Sequence, residues 1–193
     1  PFPGAIFTDA TPIWDDHVIL TLSLSKLGLP GTRTGIIIAS EAITRAISAM
    51  TAVVGLANNN VGQAMVLPFL ENGEIIRISN DIIRPFYRER AKHARETAAR
   101  AFGNSTPYRI HAAEGAFFLW FWFPGLPISS GELYRRLKQR DVLVVPGEYF
   151  FFGLSQPWQH SNECIRVTFS QAPQTVTDGI SIIAEEVSRA YRQ

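Results

Sequence analysis

Ser23-Leu24-Ser25-Lys26-Leu27-Gly28-Leu29-Pro30-Gly31-Thr32-Arg33-Thr34-Gly35 is the stretch on which the reading of this chain turns. The residues before it, Val18 to Leu24, alternate apolar and small polar side chains, the period of a strand. Gly28, Pro30 and Gly31 mark a loop. Gly35 to Ala39 is a second strand, rich in isoleucine and expected to be buried on both faces. Lys26 therefore sits where a strand gives way to a loop, with Ser23 and Ser25 before it and Arg33 seven positions after it.

Each of these residue types has a chemical use. A lysine amine attacks an aldehyde only when a dry pocket or nearby positive charge lowers its pKa. Hydroxyls and a guanidinium suit a phosphate dianion, which arginine can grip with a two-pronged fork. Glycines let backbone approach a ligand closely. The same pattern also describes a solvated lysine beside a Gly-Pro-Gly turn, and on spacing alone that plainer reading is the more frequent one.

Outward from this stretch, strands and helices interleave. Ser40 is placed to cap a helix from Glu41, supported by Ile43, Ile47 and Met50. Val61 to Leu70 reads as a helix. A longer one is expected from about Ser79 to Phe102, with Pro85 in an early turn or kink and Asn104 near its end. His111 to Phe123 is aromatic and extended. Ser129 to Arg140 is an amphipathic helix with Ser129 and Glu132 in capping-box spacing. Val142 to Val145 reads as a short buried strand, Cys164 to Phe169 as an alternating one, and Asp178 to Arg192 as a closing helix. The class is α/β or α+β. A boundary near residues 80–85 would divide the chain into 1–82 and 83–193.

Composition excludes several function classes. With 193 residues, 46% of them hydrophobic and 18% charged, the chain can bury one good core or two smaller ones. A net charge of +1 gives no overall pull toward nucleic acid or an anionic membrane. The longest apolar run, Ala116 to Phe123, is far too short to span a bilayer. The lone Cys164 excludes an internal disulfide framework and fits a reducing compartment. The opening Pro1-Phe2-Pro3-Gly4 has no signal-peptide character and reads like the middle of a longer protein.

Other candidate sites are weak. His17, His93, His111 and His160 are scattered, and His160 with Cys164 does not make a zinc site, so no metal is expected. Arg84, Arg88, Arg90, Lys92, Arg95 and Arg100 outnumber Glu89 and Glu96 on the long helix, which reads as a solvated face without a nucleic-acid signature. The aromatic run Phe117 to Phe123 is expected to be a strand buried on both faces or facing a dimer neighbour, ahead of a partner surface. No dinucleotide fingerprint, nucleophile elbow or phosphate-loop lysine motif is present.

The lysine stretch resembles the Schiff-base lysine motif of fold-type I pyridoxal-phosphate enzymes, the class I/II aminotransferases, and within them the valine–pyruvate (alanine–valine) branch. Three further segments resemble the family in order: Glu114 to Trp120, Val142 to Phe150 with its Val-x-Val-x-Pro-Gly pattern, and Cys164-Ile165-Arg166-Val167-Thr168-Phe169. The resemblance implies a remnant of the large cofactor-binding domain in 1–82 and a complete small α+β C-terminal domain in 83–193. It implies pyridoxal 5′-phosphate as cofactor, with Lys26 binding it and then moving the substrate proton. Ser23, Ser25 and Arg33 would hold the phosphate, and Arg166 the substrate α-carboxylate. Amino-acid and 2-oxo-acid substrates, a homodimer and a cytoplasmic location are implied as well. Taken alone, Arg166 would read as an arginine in a surface pair at a strand edge. Strand alternation, if it persisted through Ser25, would turn its side chain away from that of Ser23 or Lys26.

The family also needs an aspartate at the pyridinium nitrogen and a tyrosine near the ring oxygen, both farther upstream of the lysine than this chain reaches. Asp9 lies too close to Lys26 to serve. The chain is thus expected to be an inactive fragment by itself. Two other activities fit the same residues: a pyridoxal-phosphate lyase, and the ligand-sensing domain of a transcription regulator.

Overall fold

The computed structural model describes residues 6–7, 13–27, 29–56, 60–115 and 117–193, the side chain of Leu27 excepted. Gly28 of the lysine loop and Asp9 lie outside the described residues. The chain divides between Phe86 and Tyr87 into two compact units.

The first unit opens on a hairpin. Strand β1 (Leu20–Ser23) pairs antiparallel with β2 (Gly35–Ile38), Leu20 opposite Ile38 and Ser23 opposite Gly35. Contrary to expectation, β2 is not buried on both faces: Ile37 is 44% and Ile38 41% exposed. A strand with three isoleucines in a row is patterned for cover on two sides, and this two-stranded sheet does not provide it. Helices α1 (Glu41–Val54), α2 (Val61–Glu71) and α3 (Glu74–Ile78) follow. Ser40 holds the N-cap position of α1, but its side chain makes no capping bond; its carbonyl accepts from Thr44 instead. A small core gathers Leu24, Val66 and Ile75, with Leu29, Ile36 and Ile76 against it.

The long helix expected from Ser79 is broken in character. A π-turn at Ser79–Ile83 precedes α4 (Arg84–Phe102). Pro85 has no N–H to return to the carbonyl four residues back, so the wide turn falls just before it.

The second unit is a four-stranded antiparallel sheet with helices on its buried face. The strands are β3 (Arg109–Ile110), β4 (Phe118–Trp122), β5 (Val145–Pro146) and β6 (Cys164–Thr168), in the order β3-β4-β6-β5. Alternation sends Leu119, Phe121 and Ile165 inward, each sealed from solvent. Phe102 of α4 meets Phe121 and Phe123 at 5.9 and 5.7 Å between ring centres. Helix α5 (Ser130–Lys138) buries Leu133 and Leu137, and its cap Ser129 accepts the Glu132 N–H at 3.1 Å.

A one-turn helix, α6 (Gln159–Asn162), leads into β6. Helix α7 (Pro173–Tyr191) starts earlier than the sequence suggests, at Pro173, whose missing N–H costs nothing in a first turn. It buries Ile180, Ile183 and Val187 and is tied to α4 by His93 Nε2 and Thr177 Oγ1 at 3.0 Å.

Two further expectations change. Of the two readings of the aromatic strand, burial on both faces does not hold within this chain, where Phe118, Trp120 and Trp122 stay partly accessible; the reading as a strand facing a dimer neighbour is untouched by this. The expected strand Val142–Val145 shrinks to Val145–Pro146, and Leu143 is 70% exposed. Proline ends hydrogen-bonded pairing and belongs on an edge strand, which β5 is.

Candidate active site

The lysine loop is built from two tight turns that lie against each other, Leu24–Leu27 and Pro30–Thr32. Leu24 is the anchor: its side chain is 1% exposed, its N–H donates to the Thr34 carbonyl and its carbonyl accepts from Leu29. Thr32 Oγ1 closes the second turn on the Leu29 carbonyl at 2.8 Å. Arg33 follows in the left-handed conformation, φ 49° and ψ 36°, which is uncommon for a residue with a β-carbon. Gly62 of α2 explains how the loop is seated. A β-carbon there would lie 1.9 Å from the Thr32 carbonyl oxygen, so only glycine lets α2 approach.

This construction corrects the expected geometry. The strand stops at Ser23, so Lys26 stands in the turn beyond it and strand alternation does not govern Ser25. The Ser25 N–H instead donates to Ser23 Oγ at 3.3 Å. Ser23, Lys26 and Arg33 are exposed and Ser25 is half-buried. The Arg33 guanidinium forms no hydrogen bond or ion pair among the described residues. A hydroxyl, a lysine and an unengaged guanidinium on one compact loop are a donor set that suits a phosphorylated aldehyde.

Arg166, in the second unit, is at the centre of β6. It lies opposite Trp120 of β4 and opposite Val145 of β5, so it belongs to the accessible, aromatic face of the sheet. It is not the arginine of a surface pair. Its guanidinium carbon stands 4.2 Å from the centre of the Phe118 ring and 4.9 Å from that of Phe150. Its Nε is buried with no hydrogen-bond partner, and no carboxylate pairs with it among the described residues. An unsatisfied buried donor costs roughly 1–3 kcal/mol, more when charged, so its lack of a partner points to a ligand. Cation–π contact returns about 0.5–2 kcal/mol of that cost.

Close by, the buried Glu163 accepts from Trp122 Nε1 at 2.8 Å, the Gly125 N–H at 3.0 Å and Gln159 Nε2 at 2.8 Å. These bonds pin the entry to β6. Gly147, after the short edge strand, makes the same kind of close approach as Gly62: a β-carbon there would meet the Cys164 carbonyl at 2.6 Å. Phe118, Phe150 and Glu163 were not singled out in the sequence. The β4–β6 register that brings Phe118 beside Arg166 is a long-range pairing, and a sequence pattern does not contain it. Among the described residues no group of three or more His, Cys, Asp or Glu side chains could hold a metal ion, and His160 Nε2 and Cys164 Sγ simply lie 3.5 Å apart. No helix of the described residues is long and apolar enough to cross a membrane.

Comparison with known proteins gives the class of protein that combines a lysine turn after a hairpin strand with a mixed α+β unit. The family model of aminotransferase class I and II matches residues 5–183. The chain is 45% identical over its whole length to valine–pyruvate aminotransferase of Escherichia coli K12, covering 46% of that protein. The solved structure of a putative amino-acid aminotransferase from Psychrobacter arcticum 273-4 superposes with a TM-score of 0.93 at 46% identity, covering all of this chain and 44% of that one. That of valine–pyruvate aminotransferase from Salmonella typhimurium LT2 gives 0.92 at 44%, covering all of this chain and 49% of that one. The chain belongs to the class I and II aminotransferase family and has its α/β fold in part. It spans about half the length of the curated relatives it matches.

Proposed function

We propose that the complete protein is a pyridoxal-5′-phosphate-dependent aminotransferase that moves an amino group between an L-amino acid of the valine or alanine type and pyruvate or another 2-oxo acid. The observation that carries this reading is the likeness to valine–pyruvate aminotransferase along the entire chain, the lysine loop and the arginine strand included.

The residues divide the work. Lys26 would hold the cofactor through its Nζ and, when free, would take the proton from the substrate α-carbon and return it elsewhere. Ser23 and Arg33 hold the phosphate, Ser25 supporting them through its N–H to Ser23 Oγ. Arg166 fixes the substrate carboxylate, which orients the α-hydrogen for abstraction. Bound pyridoxal phosphate supplies the electron sink that makes the α-proton removable. The exposed Lys26 needs cover to work in a dry site, and we assign that cover to the rest of the complete protein, acting as a cytoplasmic homodimer. For the same reason the 193-residue chain alone is expected to show no transamination.

The test uses the complete protein with pyridoxal phosphate, pyruvate and a panel of amino donors. Alanine formation matched by the 2-oxo acid of the donor, with valine among the best donors, is expected. Ammonia release without an acceptor would make it a lyase on the same scaffold, and binding without turnover a sensor.

A further inference from the structure

Arg166 is held by two rings, with no acid paired to it among the described residues. Phe118 lies two residues before Trp120, which faces Arg166 directly across the β4–β6 pair. Phe150 ends the turn Gly147–Phe150 after β5 and meets Trp120 edge-on, ring centres 5.1 Å apart at 90°. The position of Phe150 is therefore set by Trp120 and by the Gly147 approach to β6. Guanidinium N–H bonds all lie in one plane. The Arg166 guanidinium carbon stands over two rings, while its buried Nε–H finds no hydrogen bond among the described residues.

We propose that Phe118 and Phe150 are positioning residues: they fix the plane of the Arg166 guanidinium so that it receives a monocarboxylate in that plane, edge to edge. This rests on the reading of Arg166 as the carboxylate site and deepens it. Rings hold the arginine without competing for its N–H groups, so the full hydrogen-bonding capacity of its open edge is kept for the ligand. A carboxylate held by the protein would consume part of it. On this arrangement Arg166→Lys should weaken carboxylate binding, since a point charge has no plane to fix.

The experiment measures binding of isovalerate, a valine-shaped monocarboxylate without the amine, to the complete cofactor-loaded protein by calorimetry. Phe118→Leu and Phe150→Leu keep apolar bulk but remove the rings. Each is expected to weaken isovalerate binding about 3- to 30-fold, and Phe118→Tyr and Phe150→Tyr to stay within about twofold of wild type. In an Arg166→Lys background the leucine substitutions should have no further effect, because they act through the guanidinium. Phe118 and Phe150 are 37% and 38% exposed, so the variants should fold, which thermal midpoints check. If a leucine variant does not fold, Phe118→Met or Phe150→Met, which also keeps apolar bulk without a ring, carries the same test.

Unchanged affinity in the leucine variants, or equal losses in the Arg166→Lys background, would overturn the proposal while leaving the carboxylate role of Arg166 intact. Wild-type binding that Arg166→Ala leaves unchanged, or no wild-type binding at all, would overturn the carboxylate reading itself.

Discussion

In residues 87–193 the inner face of the sheet is sealed, with Leu119, Phe121 and Ile165 hidden from solvent, whereas in residues 1–86 Ile37, Ile38, Val53 and Val54 are exposed. The second unit closes a core from its own strands and helices. The first gathers Leu24, Val66 and Ile75 and spends that small core on seating one loop. The contrast separates two design problems. An arginine over rings can be positioned by a self-sufficient sheet. A lysine made reactive by desolvation would need low-dielectric surroundings, and Lys26 of the first unit is exposed.

The widest test of this contrast is truncation of apolar side chains in the 193-residue chain. Phe121→Ala should cost about 3–5 kcal/mol of the second unit's stability in urea unfolding followed by hydrogen exchange. Val54→Ala, on an exposed side chain of the first unit, should stay within about 0.5 kcal/mol. Comparable losses would erase the difference between the units.

A narrower test addresses the loop. Gly62→Ala forces a β-carbon against the Thr32 carbonyl and must displace the segment that carries Arg33. A loss of roughly 1–3 kcal/mol is expected. In the complete protein the same change should weaken pyridoxal-phosphate binding more than it weakens isovalerate binding, as seen by equilibrium titration of each.

The smallest effect is a pH dependence confined to the second unit. Burial pushes the Cys164 thiol up from 9.0 to about 11, against a lowering contribution from Trp120 and with a raising one from the Glu163 charge. Below pH 9 the thiol is protonated folded or unfolded, and its contribution is fully present. As pH rises toward 11 the unfolded chain releases the proton while the folded one keeps it, so stability falls. Burial likewise holds the Tyr191 hydroxyl near 12, which extends the fall. Cys164→Ala should flatten the first part of the curve, measured as urea midpoints against pH. At neutral pH Cys164 should resist thiol reagents until the chain is unfolded.

Much of this organisation is legible in the sequence because it is local. The Ser129–Glu132 spacing shows a real cap, and the alternation of Cys164 to Thr168 a real strand. Lys26, Arg33 and Arg166 stand out as residue types in a recognisable order. What the sequence does not disclose depends on distant partners. Ile36 to Ile38 has the pattern of a covered strand, but cover comes from other segments. Pro85 announces a perturbation without saying that a π-turn will absorb it. The rings beneath Arg166 come from a cross-strand register and a turn that no short window contains.

In the function proposed, Lys26 is the residue that would bind the cofactor. The visible absorption spectrum of the complete protein after addition of pyridoxal phosphate, repeated with Lys26→Ala, tests this assignment. A protein-bound absorption band in the wild type that the substitution abolishes is expected. A band that persists in Lys26→Ala, or none in the wild type, would contradict it.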